Sequence, residues 1–385
     1  MPATPANICP PLAEGALLAP AEHQLAALPD GPPILIVAID TEAEFDWSGP
    51  FLRTQTSVAN IQNQRLAQEI FDRFDVRPIY LVDYAVATRP EAYVGLREIA
   101  QSERCEIGAH LHPWITPPLS EPLNDRNSFT QNLAPGLQQE KLARLTEAII
   151  TNFAVRPVTY RAGRLGVGEE IAGILAALGY RIDMSVLPGI DLRRLHGPDF
   201  RGGFDRPYWF GGDAPLLEIP ATSGFTGLFA ALLPKAFHPG LYAALSRFDK
   251  LSLRGMFAQL GLLEWTPPSP EGVAIAELRR LTRALLARGN RIFVFSYHSS
   301  SLLPGSTRYV RSPSELSGFL RRIEEFLEFF VGELGGVSMT PSQLRAALPE
   351  VPAWQPAGMP ADSSAPGARA PGQVVPAAEA TRARA

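Results

Sequence analysis

Two histidines stand one residue apart in the stretch EIGAHLHPW, Glu106 to Trp114, of a chain that holds six histidines in all. His110 and His112 close an apolar run and precede Pro113, where an extended strand would end. Side chains two apart on a strand point to one side, so both imidazoles can enter a single mouth. Asp40 and Glu42 repeat that spacing at the end of ILIVAID and can do the same with two carboxylates. Two imidazoles and a carboxylate form a ligand set for a divalent cation, with positions left open for water. Arg161 and Arg164 close the run VTYRAG, Asp183 lies in RIDMSV, and His298 closes RIFVFSYH.

These residues need elements that bring them together. Seven β-type runs are predicted: Ile34 to Asp40, Pro78 to Tyr84, Cys105 to His112, Val158 to Gly163, Arg181 to Val186, Leu216 to Thr222 and Arg291 to His298. Helical stretches lie between them. Leu142, Leu145, Ile149 and Phe153 keep a 3.6-residue period, as do Leu316, Leu320, Ile323, Leu327 and Phe330. Ser312, Pro313 and Glu315 read as an N-cap, a proline at the first helical position and a capping-box acid, and Thr340, Pro341 and Gln343 repeat the device. Apolar strands alternating with helices predict an α/β fold with a parallel sheet, whose sites lie at the C-terminal ends of strands. The polar residues above occupy those ends.

Composition bounds the rest. The chain has 385 residues, 46% of them apolar, and a net charge of −4, which suits a large core and offers no basic excess for nucleic acid. Cys9 and Cys105 are too few for a disulfide framework or a thiolate metal site. The first residues lack the basic and apolar regions of a signal peptide, and no apolar run of about 18 residues predicts a transmembrane span. A cytoplasmic location is the expectation. Ala- and Pro-rich composition predicts unstructured tails over residues 1–31 and 349–385, flanking one folded region over 32–348.

Other patterns carry less. GRLGVGEE has the spacing of neither a Walker loop nor a dinucleotide fingerprint, and SYHSSSL lacks the G-x-S-x-G elbow of a serine hydrolase.

Taken in order, VAIDTE, EIGAHLHPW, YRAGR and FVFSYHSSSL resemble the motifs of the polysaccharide deacetylase superfamily, the NodB-homology or carbohydrate esterase family 4 group. The HLHPW, YRAGR and HSSSL variants look like its WalW-type branch. The resemblance implies a distorted (β/α) barrel of about seven parallel strands and a single divalent metal, zinc or another transition ion. It implies removal of acetyl groups from N-acetylated saccharides, here in surface polysaccharide metabolism. By resemblance Asp40 falls on the general base, Glu42 on the acidic ligand, and His110 and His112 on the histidine ligands. Arg161 falls on the residue that steadies the base, and His298 on the general acid. Asp183 is a candidate for orienting Arg161 or His298. The chain departs from the family where Glu42 replaces an aspartate, where Gly108 and the H-x-H pair replace histidines spaced four apart, and where Gly163 replaces a proline. Two other readings use the same scaffold: a saccharide-binding module without turnover, and a hydrolase of a non-sugar amide.

The stretch from Gly224 to Trp265 exceeds what a crossover needs and interleaves Leu, Phe and Ala with Lys235, Arg247, Lys250 and Arg254. It is expected to be an inserted helical segment. As an amphipathic flap it would make weak peripheral contact with the inner membrane, where a lipid-linked saccharide presents its sugar.

Overall fold

Strands buried on both faces need cover on both, and that requirement sets the architecture. The computed structural model describes residues 16–349 apart from 22–23, 29, 48, 213, 227, 229–231 and 233–263. Its main sheet contains β1 (Ile34–Thr41), β2 (Ile79–Val82), β3 (Glu106–Leu111), β4 (Thr159–Ala162), β5 (Ile182–Asp183), β6 (Tyr208–Phe210), β7 (Leu216–Glu218), β10 (Ile292–His298) and β11 (Val337–Ser338). The order is β10-β1-β2-β3-β4-β5-β7-β6, with β11 beside the start of β1. Every pair on this path is parallel except β6–β7. Seven of these strands are the seven expected from the sequence. The sheet curls into a distorted (β/α) barrel whose path of strands ends at β10 on one side and β6 on the other.

The two-residue period of the strands divides the core. Leu35, Val37 and Ile39 of β1 belong to one cluster, with residues of α3 (Pro90–Gln101), α4 (Pro135–Phe153) and α7 (Pro313–Leu327). Ile34, Ile36 and Ala38 belong to the other, with Ile182, Met184, Leu217, Ile219, Ile292 and Val294. The second cluster is the barrel interior, closed at one end by Leu344 of α8 (Pro341–Ala347) and by Leu348. Thr340 and Gln343 form the reciprocal capping box expected of them. Ser312 also caps its helix, but Glu315 reaches the backbone N–H of Arg311 instead of that of the cap.

Part of the stretch expected to be an unstructured tail is folded. Leu25 bridges Tyr208 on the free edge of β6, the N–H of Ala26 donates to the Pro207 carbonyl, and Ala26 and Leu28 pack on the interior cluster. Leu17 is buried, and the N–H groups of Leu17 and Leu18 both donate to Glu169. Apolar residues too sparse to form a core alone suffice here because an open barrel edge is waiting for them. The tail expected beyond residue 349 lies outside the described residues. So does the body of the Gly224 to Trp265 insertion, with the cations expected to meet a membrane. Its two ends are described, and β8 (Gly224–Thr226) and β9 (Glu264–Thr266) pair antiparallel at its base. Among the described residues no helix is long and apolar enough to cross a membrane.

One buried cation holds the loop that follows β3. Lys141 of α4 is 0% exposed and donates from Nζ to the carbonyls of Pro113 (2.9 Å), Thr116 (2.7 Å) and Pro118 (2.6 Å), with Glu121 Oε2 at 3.0 Å. Burial pulls its pKa down, and Glu121 opposes that. Lys141→Met should destabilise the fold by about 3–5 kcal/mol, the cost of orphaning the buried partner charge. Denaturant unfolding reads this, and a loss below about 1 kcal/mol would mean that water replaces the ammonium.

Candidate metal and hydrolytic site

Strand parity decides which polar residues meet. On β1 the interior positions run Ile34, Ile36 and Ala38, so Asp40 continues them. Ile292 and Val294 do the same for His298, while Ile107, Ala109 and Leu111 turn to the outer cluster and leave His110 facing inward. Tyr160 and Ala162 likewise face out, which turns Arg161 in. Register then sets neighbours: Asp40 is the partner of His298 across β1–β10, and His110 that of Arg161 across β3–β4.

Glu42, His110 and His112 converge at this end of the barrel, and all three are buried. Glu42 Oε2 lies 3.5 Å from His110 Nε2 and 3.3 Å from His112 Nε2. One ligand atom from each residue falls within 4.8 Å of the others, the only such group among the described residues. His110 Nδ1 is 3.1 Å from the Arg161 carbonyl, which only accepts, so Nδ1 carries a proton and the ring is held with Nε2 turned to the group. Glu42 Oε1 and His112 Nε2 are buried with no hydrogen-bond partner. Such orphaned atoms are costly, and a cation among them would satisfy all three side chains, so the residues fit a divalent metal. Burial raises the Glu42 pKa above its ordinary value against the opposing pull of His110 and His298. The backbone of Glu42 is fixed from two sides: its N–H donates to Ser299 Oγ (3.0 Å) and its carbonyl accepts from Asn60 Nδ2 (3.1 Å).

The departures from the resembled motifs fit together. A Cβ on Gly163 would lie 2.9 Å from His112 Nε2 and 2.6 Å from the Leu111 carbonyl, so the imidazole occupies the room that a larger residue would need. A Cβ on Gly108 would meet Leu81 at 2.7 Å and the Thr159 carbonyl at 2.9 Å, which leaves no space for a histidine there.

Beside the trio, Arg161 Nη1 donates to Asp40 Oδ1 at 2.7 Å and Nε donates to the Met184 carbonyl at 3.0 Å. Burial pushes the Asp40 pKa up, but the charges of Arg161, His110 and His298 outweigh it and bring the carboxyl down to about 2. His298 Nε2 is 3.9 Å from Asp40 Oδ2, and 42% of the His298 side chain is open to solvent. Its Nδ1 meets Glu271 Oε2 at 2.9 Å, and the backbone N–H of His298 and Ser301 Oγ donate to Glu271 Oε1. Burial lowers the His298 pKa, but the adjoining Glu271 charge and bond, with help from Glu42 and Asp40, carry it well above 6.5. The site thus sets an acid whose pKa is drawn down beside an imidazole whose pKa is drawn up.

Asp183 does not join them. Ile182 and Met184 occupy interior positions, so Asp183 points to the opposite face, accepts from Ser185 Oγ at 2.5 Å and faces Glu218 across β5–β7. Burial raises the pKa of both acids, Asp183 to about 6. Neither Arg161 nor His298 hydrogen-bonds to it: Met184 and Asp40 take Arg161, and Glu271 takes His298. Arg164 stacks over Phe129 and Phe51, with its guanidinium carbon 4.0 and 5.0 Å from the ring centroids. Ser299 and Ser301 are supports for Glu42 and Glu271, in line with the missing serine elbow. Trp47, 47% exposed, stands at the rim edge-on to His112.

Two important residues escaped sequence reasoning. Glu271 sits in the proline-rich turn TPPSPEG, which has neither period nor motif. Asp83 ends the run IYLVD, and the strand-end criterion that selected Asp40 would have found it.

Glu271→Gln should release the proton of His298 at lower pH. A group held protonated by an adjacent carboxylate loses that support when the charge goes, so the alkaline limb of kcat/KM moves down by roughly one pH unit or more. An unmoved limb would show that Glu271 does not set this proton.

No family model matches the chain, and no curated protein matches it. Solved structures similar to it include a putative polysaccharide deacetylase from Mycobacterium smegmatis, 18% identical over 86% of this chain and 96% of that one, with a TM-score of 0.49. The Puue allantoinase is 14% identical over 82% and 88%, with a TM-score of 0.47. A mutant of the peptidoglycan deacetylase PdaC from Bacillus subtilis is 10% identical over 82% and 91%, with a TM-score of 0.36.

Proposed function

We propose that the protein is a metal-dependent hydrolase that removes an N-acetyl, or similar amide-linked acyl, group from a sugar unit, as in the WalW-type variants its motifs resemble. One observation carries the reading: a buried carboxylate and two imidazoles, with Glu42 Oε1 and His112 Nε2 unsatisfied, adjoin a second carboxylate set 3.9 Å from a third imidazole. Glu42, His110 and His112 would hold a divalent ion, which supplies Lewis-acid polarisation of the amide carbonyl and acidifies water. Asp40, kept ionised by Arg161, accepts the proton of the attacking water. His298, oriented and kept charged by Glu271, gives its proton to the departing amine as the carbon–nitrogen bond breaks. One water is consumed, and acetate and a free amine are formed. The saccharide is the substrate class implied by the motif resemblance, and exposed Trp47 at the rim offers it an apolar face. A lipid-linked saccharide and a surface polysaccharide role belong to the same proposal.

The test pairs metal analysis of the purified chain with acetate release from N-acetylated oligosaccharides in the presence of zinc or cobalt. Near-stoichiometric metal and acetate release are expected. Metal without acetate release would favour a non-sugar amide, and a chain that binds saccharide but no metal would be a binding module.

A further inference from the structure

We propose that Asp83 is a positioning residue for His112. The inference rests on the metal reading above. Asp83 follows β2, is fully buried, and divides its carboxylate between two tasks. Oδ1 accepts the N–H of Val86 at 2.9 Å and caps α2 (Tyr84–Thr88). Oδ2 accepts the N–H of Ala43 at 2.8 Å and lies 3.5 Å from His112 Nδ1.

The capping role alone does not account for this residue. A cap needs one oxygen, which serine or asparagine supplies as well, and α2 is a helix of five residues. The second oxygen touches no part of α2. It reaches the residue after Glu42, and it is the group that faces His112 Nδ1, a nitrogen with no hydrogen-bond partner. The two histidines are therefore oriented by different means. His110 leans on a main-chain carbonyl that no substitution removes, whereas His112 depends on a side chain. A carboxylate at Nδ1 favours the tautomer with the proton there, which leaves Nε2 free to ligate and makes it more basic. Through Ala43, the same carboxylate ties the ring to the loop that carries Glu42.

The experiment uses the full chain stripped by chelation and titrated with Zn(II) against a competing chelator, with Co(II) absorption as a second reading of ligand geometry. Asp83→Asn, which keeps a cap oxygen but turns an amide N–H toward that of Ala43, should weaken zinc binding about 10–100-fold and alter the Co(II) spectrum, while the metal-free melting temperature falls by only a few degrees. In a His112→Ala background the same substitution should cost several-fold less zinc affinity, because only its hold on the Glu42 loop through Ala43 is left. Asp83→Ser retains a capping hydroxyl and takes the place of the asparagine variant if that one does not fold. Equal zinc affinity of wild type and Asp83→Asn overturns this inference alone, as does an equal loss with and without His112. A wild type that takes up no zinc overturns the metal reading together with it.

Discussion

Asp40→Asn should leave zinc content near that of the wild type and lower kcat by about 10²–10⁴-fold, the usual contribution of a positioned proton acceptor. The geometry separates this residue from the ligand group: its oxygens meet Arg161 and approach His298, whereas Glu42 faces both His110 and His112. Asparagine keeps the shape and removes the proton acceptor. It also removes the countercharge of Arg161, whose Nη2 is already buried without a partner, so some stability goes with it. The pH dependence has a definite sign. The Asp40 pKa lies at about 2 in the folded chain, below its ordinary 3.8, so the Asp40–Arg161 pair stabilises fully above that ordinary value. The stabilisation is lost as pH falls through about 2. Acid unfolding of Asp40→Asn should lack this component. Metal loss in Asp40→Asn together with metal retention in Glu42→Gln would mean that the two carboxylates have exchanged roles.

Glu42→Gln should bind zinc more weakly by a larger factor than the roughly 10–100-fold cost of losing a supporting partner, because the anionic ligand itself is gone. Turnover at ordinary metal concentrations should fall with it. The metal-free protein should respond in the other direction. Burial raises the folded pKa of Glu42, so in the metal-free wild type its contribution is fully present below the ordinary value of 4.5 and declines as pH rises. Glutamine carries no charge to bury. Metal-free Glu42→Gln should therefore be at least as stable as metal-free wild type near neutral pH, and the order should reverse with saturating zinc. Thermal melts with and without metal check this, and a variant destabilised in both states would make Glu42 a purely structural acid.

Much of the site was legible because the strands are apolar on both faces, so a polar residue at a strand end is conspicuous. Asp40, Glu42, His110, His112, Arg161 and His298 all stood out that way, and the structure brings them together. Asp183 stood out equally and faces the other way. Spacing places a residue at a strand end, but only the faces of its neighbours, Ile182 and Met184, fix its direction. Glu271 was invisible because its position depends on a turn that packs beside β10 through tertiary contacts, with no local pattern. The antiparallel β6 and the folded residues 16–21 and 24–28 were missed for a related reason. They are three-residue or irregular pieces whose burial exists only because the sheet fails to close.

The position of β1 between β2 and β10 has a consequence during synthesis. Its partner on one side is made early, but the residue opposite Asp40 on the other is His298, more than 250 residues later in the chain. At the usual pace of translation, that leaves the ILIVAID edge uncovered for on the order of ten seconds or more. An apolar strand with an open edge is a template for unwanted pairing, so a ribosome-bound chain that stops short of Arg291 presents that template. The same chain lacks the imidazole opposite its carboxylate. Protection of that edge and the meeting of Asp40 with His298 are thus completed by one late event, the arrival of a single strand.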